Sequence, residues 1–385
     1  MEENQNKKVI KTLSLGHFIT DAYSGFLNPI MPFVAAKIGI TMSIATVLIS
    51  ISNLTSSLSQ PFFGFVADKW QRRFFIFWGM IFASIFLSCL GIASNIWILA
   101  LCIILGHMGV AFFHPQATSI ISNYSKITEN SKDMSIFIAM GTFGFALGPL
   151  ISSSIAQHLG LEKLPFACII GILFSIYLLK TVPKLQTLEI EKPKVSIIGA
   201  LKAIFKNKPV SILVGASIVK SFVVSSFPII LPFYWKSIGY SVSQIGIILL
   251  IFMLAGAVGV ITSPMLEKKV GIRNVFYISL MSVLPLGLVF YFCDCKGIIG
   301  LTAFILIGYV SLLASPVNMA LAQKLMPEFK SMISGFIGGF SWGVIGILLP
   351  LISVLTEKFG FMNVLLAMTF IPFVFAYNIK DLPQD

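Results

Sequence analysis

Charge is what this sequence has least of. Charged residues make up 11% of its 385 positions, where a soluble domain averages about 25%. Hydrophobic residues reach 57%, which excludes an ordinary water-soluble globule. Acids are scarcer than bases, at 15 Asp and Glu against 27 Lys and Arg. The net charge of +12 does not make the chain a nucleic-acid binder, because no basic groove with interleaved aromatics and no nucleic-acid motif is present. There are five Cys, of which Cys89, Cys102 and Cys168 sit in apolar segments as packing residues. Cys293-Asp294-Cys295 stands at a segment end, where a metal or a disulfide is the alternative to packing. No metal cluster, nucleophile elbow, phosphate loop or ATP motif occurs. The sequence therefore predicts no enzyme, no primary pump, no cofactor and no metal site. The polar stretch 1–11 runs directly into a long span without a cleavage pattern, so no cleaved signal peptide is expected.

What the chain has in abundance is long apolar runs, with 35 Phe among them. A bilayer core takes about 20 apolar residues per helix. Twelve spans are predicted, at 12–36, 43–66, 74–94, 96–121, 134–157, 164–181, 209–235, 241–264, 274–293, 298–322, 331–355 and 360–378. Of the 27 Lys and Arg, 21 fall in the N-terminal segment and every second loop after it. The intervening loops hold Lys37, Lys163, Lys236, Lys296 and Lys358. Positive charge concentrates on the cytoplasmic side, so both termini are expected there. The stretch 182–208, with Pro183 and Pro193 and six of the positives, reads as a cytoplasmic linker. The expected fold is thus all-α: a six-helix half over 1–181, the linker, and a second six-helix half over 209–385.

The two halves repeat. Pro32-Phe33, Ile38-Gly39 and Ser43 recur as Pro232-Phe233, Ile238-Gly239 and Ser243. Gly148-Pro149-Leu150-Ile151-Ser152 resembles Leu349-Pro350-Leu351-Ile352-Ser353, and His114-Pro115 matches Ser315-Pro316. Parallel repeats of this kind place a binding site at mid-membrane between the halves. Asp21 and Lys220 are the acid and the base that fall inside the apolar segments, and Thr20 aligns with Lys220. A charge at that depth costs roughly 2.5–3.5 kcal/mol and commonly marks an ion or substrate pathway. Asp21 and Lys220 are expected to face each other across the central cavity. The plainer alternative is a static ion pair holding the halves together, and a pair that breaks on protonation is both.

Polar stripes point the same way. His17, Asp21, Ser24 and Asn28 share one face of the first helix. His107, Ala111, His114 and Thr118 repeat that spacing on the fourth, and Asn53, Ser56, Gln60 and Gly64 form a stripe on the second. Ser24, Ser56 and Asn28 serve equally well as bridges between helices. His17 and His114 are proton-relay candidates beside Asp21. His107, Asn53 and Gln116 complete the expected substrate cavity with Lys220.

Between spans two and three stands Gly64-Phe65-Val66-Ala67-Asp68-Lys69-Trp70-Gln71-Arg72-Arg73. It resembles the signature loop of the major facilitator superfamily, Gly-x-x-x-Asp-Arg-x-Gly-Arg-Arg, with Gln71 in place of the second Gly. The resemblance implies that Gly64, Asp68, Lys69, Arg72 and Arg73 gate the transporter. The second copy is degraded to Pro264, Lys268, Gly271 and Arg273. On span five, Gly141, Gly144, Gly148 and Pro149 look like the motif enriched in proton-coupled exporters, with Ser152 and Ser153 where two Gly usually follow. A close helix-packing interface is the other use of such a motif.

A narrower likeness runs over nearly the whole chain. Gly16-His17-Phe18-Ile19-Thr20-Asp21, Asn53–Pro61, Phe113-His114-Pro115, Ser211-Ile212-Leu213 followed by Lys220, and Ala322-Gln323 with Met326-Pro327 resemble the fosmidomycin-resistance branch. Gln116 departs from it, standing where that branch has Glu. Gln cannot change charge, so a proton role at that site is either absent or moved to His114 or Asp21. The resemblance implies a proton-coupled antiporter of a bacterial inner membrane, monomeric and lipid-embedded. It would export small amphiphilic or anionic compounds such as fosmidomycin. A proton-coupled importer of an organic anion is the alternative.

Overall fold

The computed structural model of the chain describes residues 2–40, 42–70, 73–183, 196–240, 242–293 and 297–383. Helices account for nearly all of them, and no strand occurs among the described residues. Contacts divide the chain into two compact units. The first takes Met1–Leu201 and Ala322–Gly343, and the second takes Lys202–Leu321 and Val344–Asp385.

The first unit begins with two interrupted helices. Helix α1 (Glu2–Ser24) gives way to α2 (Leu27–Ile38), and α3 (Met42–Ser57) to α4 (Gln60–Trp70). The expected spans 12–36 and 43–66 are therefore each split into two shorter helices. Proline supplies a physical cause. Pro29 has no N–H for the carbonyl of Gly25, and Pro61 none for Ser57, so the hydrogen-bond ladder fails one turn before each proline. Averaged hydropathy passes over such a break. The unit continues with α5 (Phe74–Ser88), α6 (Ile96–Tyr124), α7 (Asn130–His158), α8 (Cys168–Thr181) and the start of α9 (Ile197–Lys206), which passes into the second unit after Leu201. The last of these lies within the expected linker, whose residues 184–195 fall outside the described ones. The buried core is aliphatic and aromatic, with Tyr23, Phe26, Ile30, Met31, Leu87 and Ile103 at its centre.

The second unit is built from α10 (Lys208–Ser237), α11 (Val242–Val270), α12 (Ile272–Met281), α13 (Val283–Phe292), α14 (Ile298–Leu313) and α15 (Ser315–Leu325). Phe227, Trp235, Phe252, Phe290 and Phe304 stack in its core. Next in the chain comes α16 (Lys330–Ser334), which belongs to the first unit and runs through a wide π-turn over Gly335–Phe340 into α17 (Ser341–Phe359); α17 re-enters the second unit after Gly343, and α18 (Phe361–Phe375) follows there. The π-turn lies against Gln60 of the first unit's own α4. A Cβ on Gly335 or Gly339 would overlap Gln60.

Ten helical stretches among the described residues are long and apolar enough to cross a bilayer. The regions of the other two expected spans hold the broken pairs α1/α2 and α3/α4. Cys293 is a free thiol, while Asp294 and Cys295 lie outside the described residues.

Candidate functional site

The helical repeat puts His17 and Asp21 one turn apart on α1, and α6 brings His114 to the same carboxylate. His17 Nε2 lies 3.1 Å from Asp21 Oδ2, and His114 Nε2 lies 2.9 Å from Asp21 Oδ1. Each ring is held from its far side. His17 Nδ1 donates to the Phe137 carbonyl at 2.7 Å, and His114 Nδ1 to the Val110 carbonyl at 2.7 Å. The His17 ring stacks on Phe137 with centroids 4.0 Å apart and meets His114 edge-on at 4.7 Å. Gly141 on α7 makes this seat possible, since any side chain there would overlap the imidazole. The triad is mostly buried yet accessible, with side-chain exposures of 9% for His17, 17% for Asp21 and 18% for His114.

The second unit holds a matching arrangement. Lys220 on α10 donates to Ser315 Oγ on α15 at 3.2 Å. Ser315 occupies the repeat position of His114, so in each unit a charge on the first helix meets the residue before the fourth helix's proline. Asn318 steadies this joint by donating to the Leu213 carbonyl at 3.1 Å and to Ser217 Oγ at 2.9 Å. Sequence inspection singled out Lys220 but missed Ser315 and Asn318 as its surroundings. The Ser315-Pro316 match to His114-Pro115 was the available signal.

The signature loop has a defined partner. Asp68, at the end of α4, accepts from the backbone amides of Ser331 and Met332, both at 2.9 Å. These are amides in the first turn of α16, which has no intrahelical acceptor for them, so Asp68 caps a helix far away in sequence. Burial pushes the Asp68 carboxyl up to about 7, with the Met332 and Ser331 hydrogen bonds opposing that rise. Gly64 permits the approach, because a Cβ there would overlap the Ser331 carbonyl. Lys69 is exposed, and Arg72 lies outside the described residues.

Arg73 turns the other way and donates to the carbonyls of Leu179 and Val182 at the end of α8. The second unit repeats this bond: Arg273 donates to the Leu382 carbonyl, its Nε at 2.6 Å. Donors and acceptors are both displaced by the repeat length, and a cation at a helix C-terminus suits the helix dipole. Gly144 and Gly148 let α7 settle on α1, where side chains would overlap the carbonyls of Phe18 and Ala22. Gly25 meets Pro149 and Gly148 at the same seam.

Three further cavity candidates lie on α6 and α3. His107 is buried and bonds through Nδ1 to the Ile103 carbonyl of its own helix at 2.9 Å. Gln116 is buried and accepts from the Ile76 amide in the first turn of α5 at 2.9 Å. Asn53 is exposed.

Comparison with known proteins agrees with this architecture. The Major Facilitator Superfamily family description matches residues 13–350. The chain is 26% identical to the fosmidomycin resistance protein of Escherichia coli (strain K12) over 88% of this chain and 84% of that one. It is 26% identical to the multidrug resistance protein MdtG of Salmonella schwarzengrund over 71% and 70%. The crystal structure of the human organic anion transporter MFSD10 (TETRAN) superposes with a TM-score of 0.77 at 14% identity, covering 97% of this chain and 99% of that chain. With its helical fold, its apolar spans and its signature loop, the chain belongs to the Major Facilitator Superfamily of membrane transporters.

Proposed function

We propose that this protein exports a small anionic or amphiphilic organic compound across the bacterial inner membrane in exchange for protons, by alternating access. The observation that carries the reading is the pair of equivalent polar joints, Asp21 with His17 and His114 in one unit and Lys220 with Ser315 in the other. Charged groups at these depths are costly and mark transport pathways. Relatives named for fosmidomycin and multidrug resistance support the direction and the compound class.

Lys220 attracts the anionic group of the substrate. Protons entering from outside load the Asp21 joint, and the substrate leaves outward in exchange. Alternating access then returns the protein to its inward-open form. The bond from Asp68 to Ser331 and Met332 holds one of the alternating conformations and breaks in the other. Both termini face the cytoplasm, in keeping with the Lys and Arg distribution.

Inverted vesicles carrying the purified protein, with an imposed proton gradient and an anionic drug panel that includes fosmidomycin, test this reading. Export by antiport predicts drug-dependent loss of the gradient, abolished in Asp21→Asn and in Lys220→Ala. Gradient-driven uptake in right-side-out vesicles, with no exchange in inverted ones, would refute it in favour of import.

A further inference from the structure

The hydrogen-bond inventory of the triad leaves a charge to be accounted for. The Phe137 and Val110 carbonyls can only accept, so Nδ1 of His17 and Nδ1 of His114 each carry their hydrogen. In a neutral ring Nε2 is then a bare lone pair. Each of these lone pairs points at an Asp21 oxygen, at 3.1 and 2.9 Å. Two acceptors that close repel each other unless a positive charge lies between them. One proton in each contact satisfies the site, and so does one doubly charged cation shared by all three side chains.

We propose that His17, Asp21 and His114 form a binding site for a divalent first-row transition-metal ion. Their ligand atoms lie within 4.8 Å of one another. Metal bonds of about 2.0–2.2 Å in tetrahedral array place neighbouring ligand atoms about 3.3 Å apart, so the two contacts to Asp21 open by a few tenths of an ångström while the widest ligand-atom distance closes from at most 4.8 Å. Two imidazole nitrogens with one carboxylate favour zinc, cobalt, nickel or iron over magnesium and calcium, which prefer all-oxygen shells.

The site is also built as metal sites are. The ring nitrogen opposite each ligand atom is tied to a backbone carbonyl, which fixes the tautomer and aims Nε2 inward. Phe137 stacks on His17, and Gly141 leaves the space that ring occupies. Three protein ligands leave a coordination position free for water or an anionic oxygen, and the partial exposure of Asp21 and His114 gives an ion access. The sequence named these three residues as relay candidates; that His114, 93 residues from Asp21, meets the same carboxylate as His17 is decided by the packing of α6 on α1.

The inference does not depend on the transport reading, and its test is a binding measurement. Full-length protein purified in detergent and stripped of metals is titrated with Co²⁺ and with Zn²⁺, while a pH indicator follows proton release. The expected result is one ion per chain, a Co²⁺ visible spectrum of a low-coordinate nitrogen–oxygen site, and proton release as the ion binds. Mg²⁺ and Ca²⁺ should not compete. Asp21→Asn and His114→Ala should each weaken binding by about 100-fold or more, and His158→Gln should not change it. Thermal melts of each variant separate loss of the site from loss of the fold. No bound Co²⁺ at millimolar concentration, or binding unchanged in both Asp21→Asn and His114→Ala, overturns the proposal. Failure here leaves proton-driven exchange in vesicles to stand or fall by its own assay.

Discussion

Gly141→Ala is the sharpest test of whether the position of His17 matters. The added Cβ would stand 2.7 Å from Nδ1 of His17 and closer still to Cε1 and Nε2. An ordinary contact begins at 3.4 Å, so the ring has to retreat by about 0.7 Å or more. That stretches either the 2.7 Å bond to the Phe137 carbonyl or the 3.1 Å contact with Asp21 out of good hydrogen-bonding range. A hydrogen bond to a charged group is worth about 1.5–3 kcal/mol, which corresponds to roughly a 10- to 100-fold effect. The backbone works in the opposite direction, since Ala in place of Gly stabilises a helix interior by roughly 0.5–1 kcal/mol. The expected variant therefore folds and inserts normally, melts close to the parent, and loses about 10- to 100-fold in drug-dependent proton exchange. Vesicle assays and thermal melts on the same preparation read both quantities. A raised melting temperature with undiminished exchange would show that the seat of His17 is packing alone.

Two further outcomes follow from the loop and its neighbours. With Asp68 in contact with α16, its carboxyl keeps a proton up to about pH 7, whereas the ordinary value is 3.8. Between these values the closed contact binds the proton more tightly than the open one, so it loses stability as pH rises from about 4 to about 7. Hydrogen exchange at Ser331 and Met332, corrected for its intrinsic pH dependence, should show falling protection over that window and a flat response in Asp68→Asn. Protection that grows with pH would contradict the sign. Arg73→Gln and Arg273→Gln each remove a charged donor from the end of a helix, at a cost of about 1.5–3 kcal/mol. Each should lower the melting temperature by a similar amount because the two bonds are repeat equivalents, and a clear inequality would deny that equivalence.

The interrupted helices show where reading by hydropathy stops. The regions 12–36 and 43–66 are apolar enough to be recognised, but Pro29 and Pro61 break their hydrogen-bond ladders. The signature loop is a similar case. Asp68 is the one acid in the 64–73 stretch, yet nothing local names its partner. The partner is a pair of backbone amides at 331 and 332, which no side-chain pattern can advertise.

Composition and spacing by themselves determined the membrane class, the repeat and the candidate residues, because scarce charge in a long apolar chain leaves few other uses for it; the family was legible only through the resemblance of its motifs. The repeat register also aligned Ser315 with His114. Tertiary structure alone decided which of these groups meet. Asp21 gathers His17 from its own helix turn and His114 from α6, while Gly141 supplies the space and Phe137 the acceptor carbonyl that seat His17. Helical periodicity fixes which residues share a face. Only the packing of one helix against another fixes which faces meet, and at what distance.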